Sequence, residues 1–243
     1  MVKLGKYDAE VVEYCPICRT VGEFIVKATT DNKDINFDVY ICPKCNCSYN
    51  SPRMTPEAMT EYYSSGDYIT RTLEKRNGRG NFGERRRALR MMAMLMWLPF
   101  KKVPSPTRAL DVGCSQGHFL ERMRDLWIDL ETVGYDIYKD PDAVHEVVTD
   151  KDEITGEFDF ISCIHVLEHI YDPIAELKWM ESLLSKGGFL LLEVPTMRHI
   201  ILEHPITFSL DTIPVAMEQI GIKDYSVIEL PESYASCLVV AKK

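Results

Sequence analysis

Four cysteines near the start of the chain have the residue type and spacing of a metal site. They form two Cys-x-x-Cys pairs, Cys15 with Cys18 and Cys42 with Cys45, and a proline follows the first cysteine of each pair. Each pair forms a turn that directs both of its sulfurs inward. Four thiolates complete the tetrahedral shell of a zinc ion and leave no position for a reactive water. The spacing therefore predicts a structural zinc site. Cys47 is an alternative ligand whose one-residue separation from Cys45 suits such a pair less well.

A second group of residues is typical of a site for a nucleoside-like cofactor. The apolar run Ala109 to Val112 contains Asp111 and leads through a Gly-x-x-x-Gly turn into an apolar helix start. Glycines let the backbone approach a ligand, and a helix start presents N–H groups to it. The spacing differs from the Gly-x-Gly-x-x-Gly of diphosphate binders, and an acid there repels a diphosphate but suits an amino group. The predicted cofactor-binding residues of this segment are Asp111, Gly113, Cys114, Ser115 and Gly117.

Another acid, Asp136, ends the next predicted strand, which starts at Thr132. The interval from the glycine turn is about that at which α/β folds place a carboxylate to accept two ribose hydroxyls. Either acid alone is more often a strand-end cap, but the two together in an alternating β/α pattern predict a cofactor site.

Three residues are candidates for moving a proton. His165 follows the fourth predicted strand, and Glu203 and His204 lie in the loop after the fifth, where open sheets expose their ligand crevice. A histidine can accept a proton from a hydroxyl, and a Glu-His pair can hold and polarise one. The alternatives are structural, since His165 can begin a helix or pack and His204 can cap its loop.

The elements that must position these residues alternate between strand and helix from about residue 105. This alternation predicts an α/β fold, a doubly wound, seven-stranded, mostly parallel sheet with an antiparallel C-terminal hairpin. The predicted strands are Ala109 to Val112, Thr132 to Asp136, Glu146 to Thr149, Phe158 to Cys163, Phe189 to Val194, Tyr225 to Leu230 and Ala235 to Ala241. The predicted helices are Gln116 to Leu126, Pro173 to Leu184 and Thr212 to Ile220.

Three domains are expected along the chain. Residues 1–52 form a small zinc-ribbon-like module, in which β-like runs at Glu23 to Lys27 and Asn36 to Ile41 flank a polar turn. Residues 53–104 are a helical connector and lid that includes a methionine-rich helix, Met91 to Met96, which packs on the sheet or in a homodimer contact. Residues 105–243 are the cofactor-binding domain.

Composition limits the classes of partner. The 243 residues carry a formal net charge of -9, which argues against a partner bound mainly through its phosphates. No secretory leader and no apolar run long enough to span a bilayer is visible, so we expect a cytoplasmic protein with no membrane partner. One basic stretch, Arg71 to Arg87, keeps open a substrate of RNA or protein recruited through the zinc module.

From Pro106 onward the chain resembles the class I S-adenosylmethionine-dependent methyltransferases. Beyond the glycine turn and Asp136, the segments Phe158 to Cys163, His165 to Pro173 and Leu184 to Phe189 resemble later motifs of that family. The resemblance implies that Asp111, Gly113 and Gly117 line the methionine end of the cofactor, that Asp136 holds the ribose, that Ile137 touches the adenine, and that Asp150 or a neighbour reaches the adenine amino group. Family members usually carry glycine where Ser115 stands.

The acceptor is suggested by a narrower resemblance. Glu203-His204 followed by Phe208-Ser209 is similar to sugar methyltransferases, notably deoxysugar C-methyltransferases, which also have an N-terminal four-cysteine zinc domain. Those enzymes are longer and carry tyrosine where Ile201 stands, so the resemblance implies O-methylation of a nucleotide-linked or glycan sugar, or of another small molecule. The methylated atom, oxygen, nitrogen or carbon, stays open, as does a non-catalytic scaffold.

Overall fold

The computed structural model describes residues 2–29, 36–65, 105–196, 201–231 and 235–243. The chain divides into two compact units. The first contains Met1–Met59, Ile164–Ser182 and Leu190–Lys243, and the second contains Thr60–Cys163 and Leu183–Phe189. Most of the predicted connector, with its basic stretch and its methionine-rich helix, lies outside the described residues.

The N-terminal part of the first unit is built from two small antiparallel sheets. One has the order β1-β2-β6, and the other has the order β12-β5-β4-β3. Their strands are β1 (Val2–Leu4), β2 (Tyr7–Glu10), β3 (Glu23–Thr29), β4 (Asn36–Ile41), β5 (Ser48–Ser51), β6 (Arg53–Met54) and β12 (Ile206–Thr207). The hairpin of β3 and β4 confirms the two β-like runs expected between the cysteine pairs. Phe37 and Val39 of β4 are buried, and their neighbours along the strand are less so, as period-two alternation requires.

The second unit contains the parallel strands that carry the glycine turn. Parallel pairing joins β7 to β8, β8 to β9 and β10 to β7. The strands are β7 (Arg108–Val112), β8 (Glu131–Tyr135), β9 (Val147–Val148) and β10 (Phe158–Ile164). Asp159 anchors the start of β7, since its carboxylate accepts from the backbone N–H groups of Thr107 and Arg108 at 2.8 and 3.0 Å.

Seven strands form one mixed sheet, with the order β13-β14-β11-β10-β7-β8-β9. The three remaining strands are β11 (Leu184–Pro195), β13 (Asp224–Glu229) and β14 (Ser236–Lys242). β13 and β14 pair antiparallel from Asp224 with Lys242 to Glu229 with Cys237. The α/β class, the seven strands and the antiparallel C-terminal hairpin are therefore as the sequence predicted.

Helices occupy the expected places. Their bounds are Pro56–Ser64, His118–Leu126, Pro173–Leu183 and Thr212–Gln219, with 3-10 turns at Lys151–Glu153 and Leu167–His169. None of the helices in the described part of the chain combines the length and apolarity needed to cross a bilayer.

Short strands account for most of the differences from the predicted elements. β1, β2, β5, β6 and β12 were not predicted, because two to four residues are too few to show an alternating pattern. All four residues of β5 are buried, so its sequence shows no alternation. β11 begins at Leu184, five residues before the predicted start, and Gly187 and Gly188 lie inside it. Glycine is depleted from strands, so the first residues of β11 do not show a strand pattern.

Candidate functional site

The glycine turn after β7 is held by hydrogen bonds to the end of β8. The backbone N–H groups of Gly113 and Cys114 donate to the Tyr135 carbonyl at 2.8 and 3.0 Å. Gly113, Ser115 and Gly117 have φ values of 71°, 51° and 81°. These left-handed conformations suit glycine and are costly for other residues, so Ser115 adopts a backbone conformation that glycine would adopt more easily. The turn is therefore a preformed, tightly folded segment.

Asp136 is the acid that organises this turn. One carboxylate oxygen accepts from the Ser115 N–H at 2.9 Å, and the other accepts from the Tyr138 N–H at 3.1 Å. Burial raises the pKa of Asp136 and outweighs the opposing effect of these backbone donors. Each oxygen has more than one lone pair, so the carboxylate can accept further hydrogen bonds from ligand hydroxyls.

Asp111 and Cys114 are buried beside the same turn. The Ser162 hydroxyl donates to the Asp111 carboxylate at 2.7 Å, which orients that carboxylate at the end of β7. Burial, followed by the negative charges of Asp111 and Asp136, raises the pKa of the Cys114 thiol. Cys114 is therefore a neutral side chain. Its sulfur packs closely against β8, since a Cβ added to Gly134 would lie 2.9 Å from it.

Gly117 allows a close approach that no other residue would permit. A Cβ at this position would lie 2.3 Å from the Cβ of His145, and the φ of 81° adds backbone strain. We expect Gly117→Ala to lower the free energy of unfolding by more than about 2 kcal/mol, since strain and a steric clash act together. Chemical denaturation measures the change.

Gly187→Ala is the matched control for that substitution. Gly187 has a φ of 83°, and nothing lies within 4 Å of its added Cβ, so this variant carries the backbone strain without the clash. We expect a loss of about 1–2 kcal/mol from strain alone. Equal losses in the two variants would contradict the assigned clash with His145.

His165 lies between two buried carboxylates of the first unit. Its Nε2 is 3.0 Å from Glu193, and its Nδ1 is 3.3 Å from Glu168. Burial favours a lower pKa for His165, but the hydrogen bonds to Glu168 and Glu193 outweigh it and raise the pKa. The pKa of Glu168 is lowered because the hydrogen bond to His165, with the charges of the two nearby histidines, overcomes its burial. The two carboxylates lie at opposite ring nitrogens of His165, so they fix the orientation of the ring and the ring in turn holds Glu168 in place.

His204 and Glu203 are held by Asn50, which the sequence analysis did not single out, and by His169. The Asn50 side-chain amide donates to the carbonyls of Ile201 and His204, each at 3.0 Å. His169 Nδ1 donates to the Glu203 carbonyl at 2.7 Å, and the rings of His169 and His204 meet edge to face with centroids 4.6 Å apart. No sequence signal pointed to Asn50, because its role depends on contacts more than 150 residues along the chain.

The four predicted zinc ligands come together. The Sγ atoms of Cys15 and Cys45 are 3.5 Å apart, those of Cys18 and Cys42 are 3.3 Å apart, and those of Cys18 and Cys45 are 3.6 Å apart. A tetrahedron with Zn–S bonds of about 2.3 Å places its sulfurs about 3.8 Å apart. The cluster matches the size of a zinc site, and Cys47 is not among the four whose ligand atoms lie within 4.8 Å of one another.

The predicted site residues lie in both units. One cluster lies in the second unit, at the ends of β7 and β8, and contains Asp111, Gly113, Cys114, Ser115, Gly117 and Asp136. Ile137 follows Asp136 and is 37% exposed, and Asp150 caps the 3-10 turn by accepting from the Asp152 N–H at 2.9 Å. His165, Glu203, His204 and the four cysteines belong to the first unit. Their predicted roles toward a cofactor or an acceptor stay predictions.

Comparisons with known proteins agree with this fold. Residues 79–226 match the family model described as Methyltransferase domain. A stretch of 103 residues is 30% identical to a ubiquinone biosynthesis O-methyltransferase of Xanthomonas axonopodis pv. citri (strain 306), covering 37% of this chain and 43% of that protein. The chain thus spans less than half the length of that curated relative.

Two solved structures share the fold at low sequence identity. An O-methyltransferase family protein from Burkholderia thailandensis aligns with a TM-score of 0.56 and 13% identity, covering 75% of this chain and 63% of that one. The plantazolicin methyltransferase BpumL, in complex with a pentazolic desmethylPZN analog and SAH, aligns with a TM-score of 0.55 and 14% identity, covering 76% and 95%.

Proposed function

This chain belongs to the methyltransferase domain family, and we propose that it transfers a methyl group from S-adenosylmethionine to a hydroxyl of a sugar or of another small molecule. The observation that carries the proposal is the pairing of Asp136 with the preformed glycine turn. A half-buried carboxylate at the end of the second parallel strand suits two vicinal hydroxyls, as in a ribose. The structure of BpumL with SAH supports the same ligand class for this fold.

The chain's own residues suit this cofactor part by part. S-adenosylmethionine supplies an electrophilic methyl group on a sulfonium, so the protein has to align the reactants and, for a hydroxyl acceptor, remove a proton. Asp136 is proposed to accept the ribose hydroxyls, and the half-exposed Ile137 next to it is proposed to contact the adenine. Asp111 at the end of β7 is proposed to attract the amino group of the methionine part.

We assign zinc to the four-cysteine cluster. Three of its sulfur separations are 3.3–3.6 Å and all lie within 4.8 Å, which suits a tetrahedral ion that draws all four thiolates to similar distances. A closed shell of four thiolates leaves no site for a substrate, so the role of the ion is structural. The Thr212 hydroxyl donates to the Cys45 carbonyl at 2.9 Å, and the Gln219 amide donates to the Ile17 carbonyl at 2.6 Å. Both contacts link the cluster to the helix Thr212–Gln219.

The acceptor is proposed to meet Glu203 and His204. β5, which begins just after the cysteine cluster, pairs with β12 through Tyr49 with Ile206 and Ser48 with Thr207. Asn50 of the same strand holds the His204 carbonyl. The zinc module therefore supports the backbone that carries the Glu-His pair, which is the sort of rigid support that a catalytic side chain requires.

We expect His204→Ala to slow methyl transfer about 100-fold, the size of effect typical of a lost general base or hydroxyl-orienting group. Single-turnover rates with radiolabelled S-adenosylmethionine and an identified acceptor measure this effect. Cofactor affinity should stay unchanged in the same variant. An unchanged rate would remove His204 from the catalytic role.

Titration calorimetry with S-adenosylmethionine and S-adenosylhomocysteine is the test of the proposed function. Micromolar binding would support the cofactor and justify screening nucleotide sugars, glycans and other small hydroxyl compounds as acceptors. No binding by the folded, zinc-loaded protein would favour a scaffold without catalysis. Transfer only to RNA or protein would support the alternative in which Arg71 to Arg87 contact a macromolecule.

A further inference from the structure

A second cluster of ligand-type side chains lies in the first unit, apart from the cysteines. Glu168, His169 and His204 each bring one ligand atom within 4.8 Å of the others. Two of these residues are adjacent in sequence, and the third comes from the loop that Asn50 holds. Glu168 is 1% exposed, so the cluster is built around a buried carboxylate.

The buried carboxylate has an oxygen without a protein partner. Glu168 Oε1 accepts from His165, but its Oε2 is fully buried and makes no hydrogen bond within the described part of the chain. Leaving a charged oxygen without a partner in the protein interior is costly, because the solvation that it loses is not replaced. A buried atom of this kind requires a compensating ligand. The two histidines of the cluster, of which His169 has its Nε2 3.9 Å from Oε1 of the same carboxylate, indicate that the ligand is a cation.

His169 is in the tautomer that a cation requires. A backbone carbonyl can only accept, so the hydrogen bond from Nδ1 to the Glu203 carbonyl places the ring proton on Nδ1. The other ring nitrogen, Nε2, is 3.9 Å from Oε1 of Glu168. Histidines that bind metals usually donate their other N–H to a carbonyl or carboxylate in this way.

We propose that Glu168, His169 and His204 bind a divalent first-row metal cation. Two imidazoles and one carboxylate suit ions such as Mn²⁺, Fe²⁺, Co²⁺ or Zn²⁺. Metal–ligand bonds of about 2.1 Å place neighbouring ligand atoms about 3.0–3.4 Å apart. Side-chain rotations that move the ligand atoms by roughly 1 Å bring them to this separation. His165, whose Nδ1 is 3.3 Å from Glu168 and whose Nε2 is 3.0 Å from Glu193, is a positioning residue for the carboxylate.

Three protein ligands leave coordination positions open, in contrast to the closed shell of the four cysteines. An oxygen of the methyl acceptor can occupy one of them, and the cation then lowers the pKa of a bound hydroxyl. This role rests on the proposed methyl transfer, whereas cation binding itself does not. The acceptor class it favours is a compound with one or two hydroxyls able to coordinate a metal.

Mn²⁺ added to the zinc-loaded protein without cofactor is the first probe. Mn²⁺ prefers nitrogen and oxygen ligands to thiolates, so it reports on this cluster rather than on the cysteines. We expect loss of the free-ion electron paramagnetic resonance signal with one Mn²⁺ bound per chain. Glu168→Gln and His169→Ala should each weaken binding at least tenfold. His145→Ala, another half-buried histidine outside the cluster, should bind as the unaltered protein does.

Co²⁺ provides a second readout, because visible bands without thiolate charge transfer identify a nitrogen and oxygen site. If Glu168→Gln does not fold, as judged by circular dichroism, the less buried His169→Ala decides the question. Failure of the unaltered protein to bind either ion at millimolar concentration would overturn the proposal, as would equal binding by His169→Ala and His145→Ala. Cation binding without cofactor binding would refute only the proposed function, and the reverse result would refute only the cation site.

Discussion

Asp136→Ala is expected to lose at least about 100-fold in affinity for S-adenosylmethionine and S-adenosylhomocysteine. Two hydrogen bonds from ribose hydroxyls to a carboxylate contribute roughly 1.5–3 kcal/mol each, and about 3 kcal/mol already corresponds to a factor of more than 100. The same carboxylate holds the Ser115 and Tyr138 N–H groups, so its loss also loosens the turn. Titration calorimetry measures the change, and circular dichroism checks that the chain remains folded.

Two controls separate the ribose contact from general effects of charge. Asp142→Ala removes an exposed carboxylate a few residues further on and should leave affinity unaltered. Asp136→Asn keeps a hydrogen-bond acceptor of similar shape, so its affinity for the cofactor should lie between those of Asp136→Ala and the unaltered protein. Burial raises the pKa of Asp136. As the solution is acidified, we therefore expect affinity for the cofactor to start falling at a higher pH than it would with an ordinary aspartate. Full affinity in Asp136→Ala would remove the ribose assignment.

Cys42→Ser is expected to abolish stoichiometric zinc binding and to destabilise the N-terminal sheets. The unaltered chain should contain one zinc per molecule by elemental analysis. Structural zinc contributes apparent binding energies of about 10–16 kcal/mol in small modules, and a serine hydroxyl is a poor substitute for a thiolate. Hydrogen exchange should show loss of protection in β3, β4 and β5, whose ends adjoin the cysteine pairs.

Cys47→Ser is the matched control, because Cys47 is as buried as Cys45 and lies two residues away. It should retain one zinc per chain and lose only the modest stability that a buried hydroxyl costs. If Cys47→Ser loses zinc and Cys42→Ser retains it, Cys47 rather than Cys42 is the zinc ligand. Absence of zinc from the unaltered protein would refute the assignment of zinc to the cluster.

Local features of the sequence were sufficient to predict most of the fold. Buried parallel strands are rich in apolar residues, which made β7 and β10 recognisable, and the alternation of strands with helices also predicted β8. The glycine turn was recognisable because Gly113 and Gly117 adopt left-handed conformations that few other residues tolerate. Ser115 does the same without being glycine, and only the backbone angles show that the turn demands it.

The cysteine spacing similarly determined which sulfurs would meet. Two residues between paired cysteines restrict the turn enough to direct both sulfurs to one point, whatever the rest of the chain does. β5 and β12, in contrast, pair with each other across more than 150 residues of sequence, through Tyr49 and Ile206. Neither strand can be recognised without the other. Short elements of this kind have no local pattern and form only when the folded chain supplies a partner.

The environments of the histidines were decided by tertiary structure alone. Sequence placed His165 after a strand and His204 in a loop, and the folded chain set His165 between Glu168 and Glu193 and set His204 against His169. The charge of a histidine, its tautomer and its use as a base or a ligand depend on which acceptor lies opposite each nitrogen. The sequence by itself therefore determined the fold class, the glycine turn and the cysteine cluster, because these follow from local spacing. Only the tertiary structure decided the roles open to the histidines, because those roles depend on contacts between distant segments.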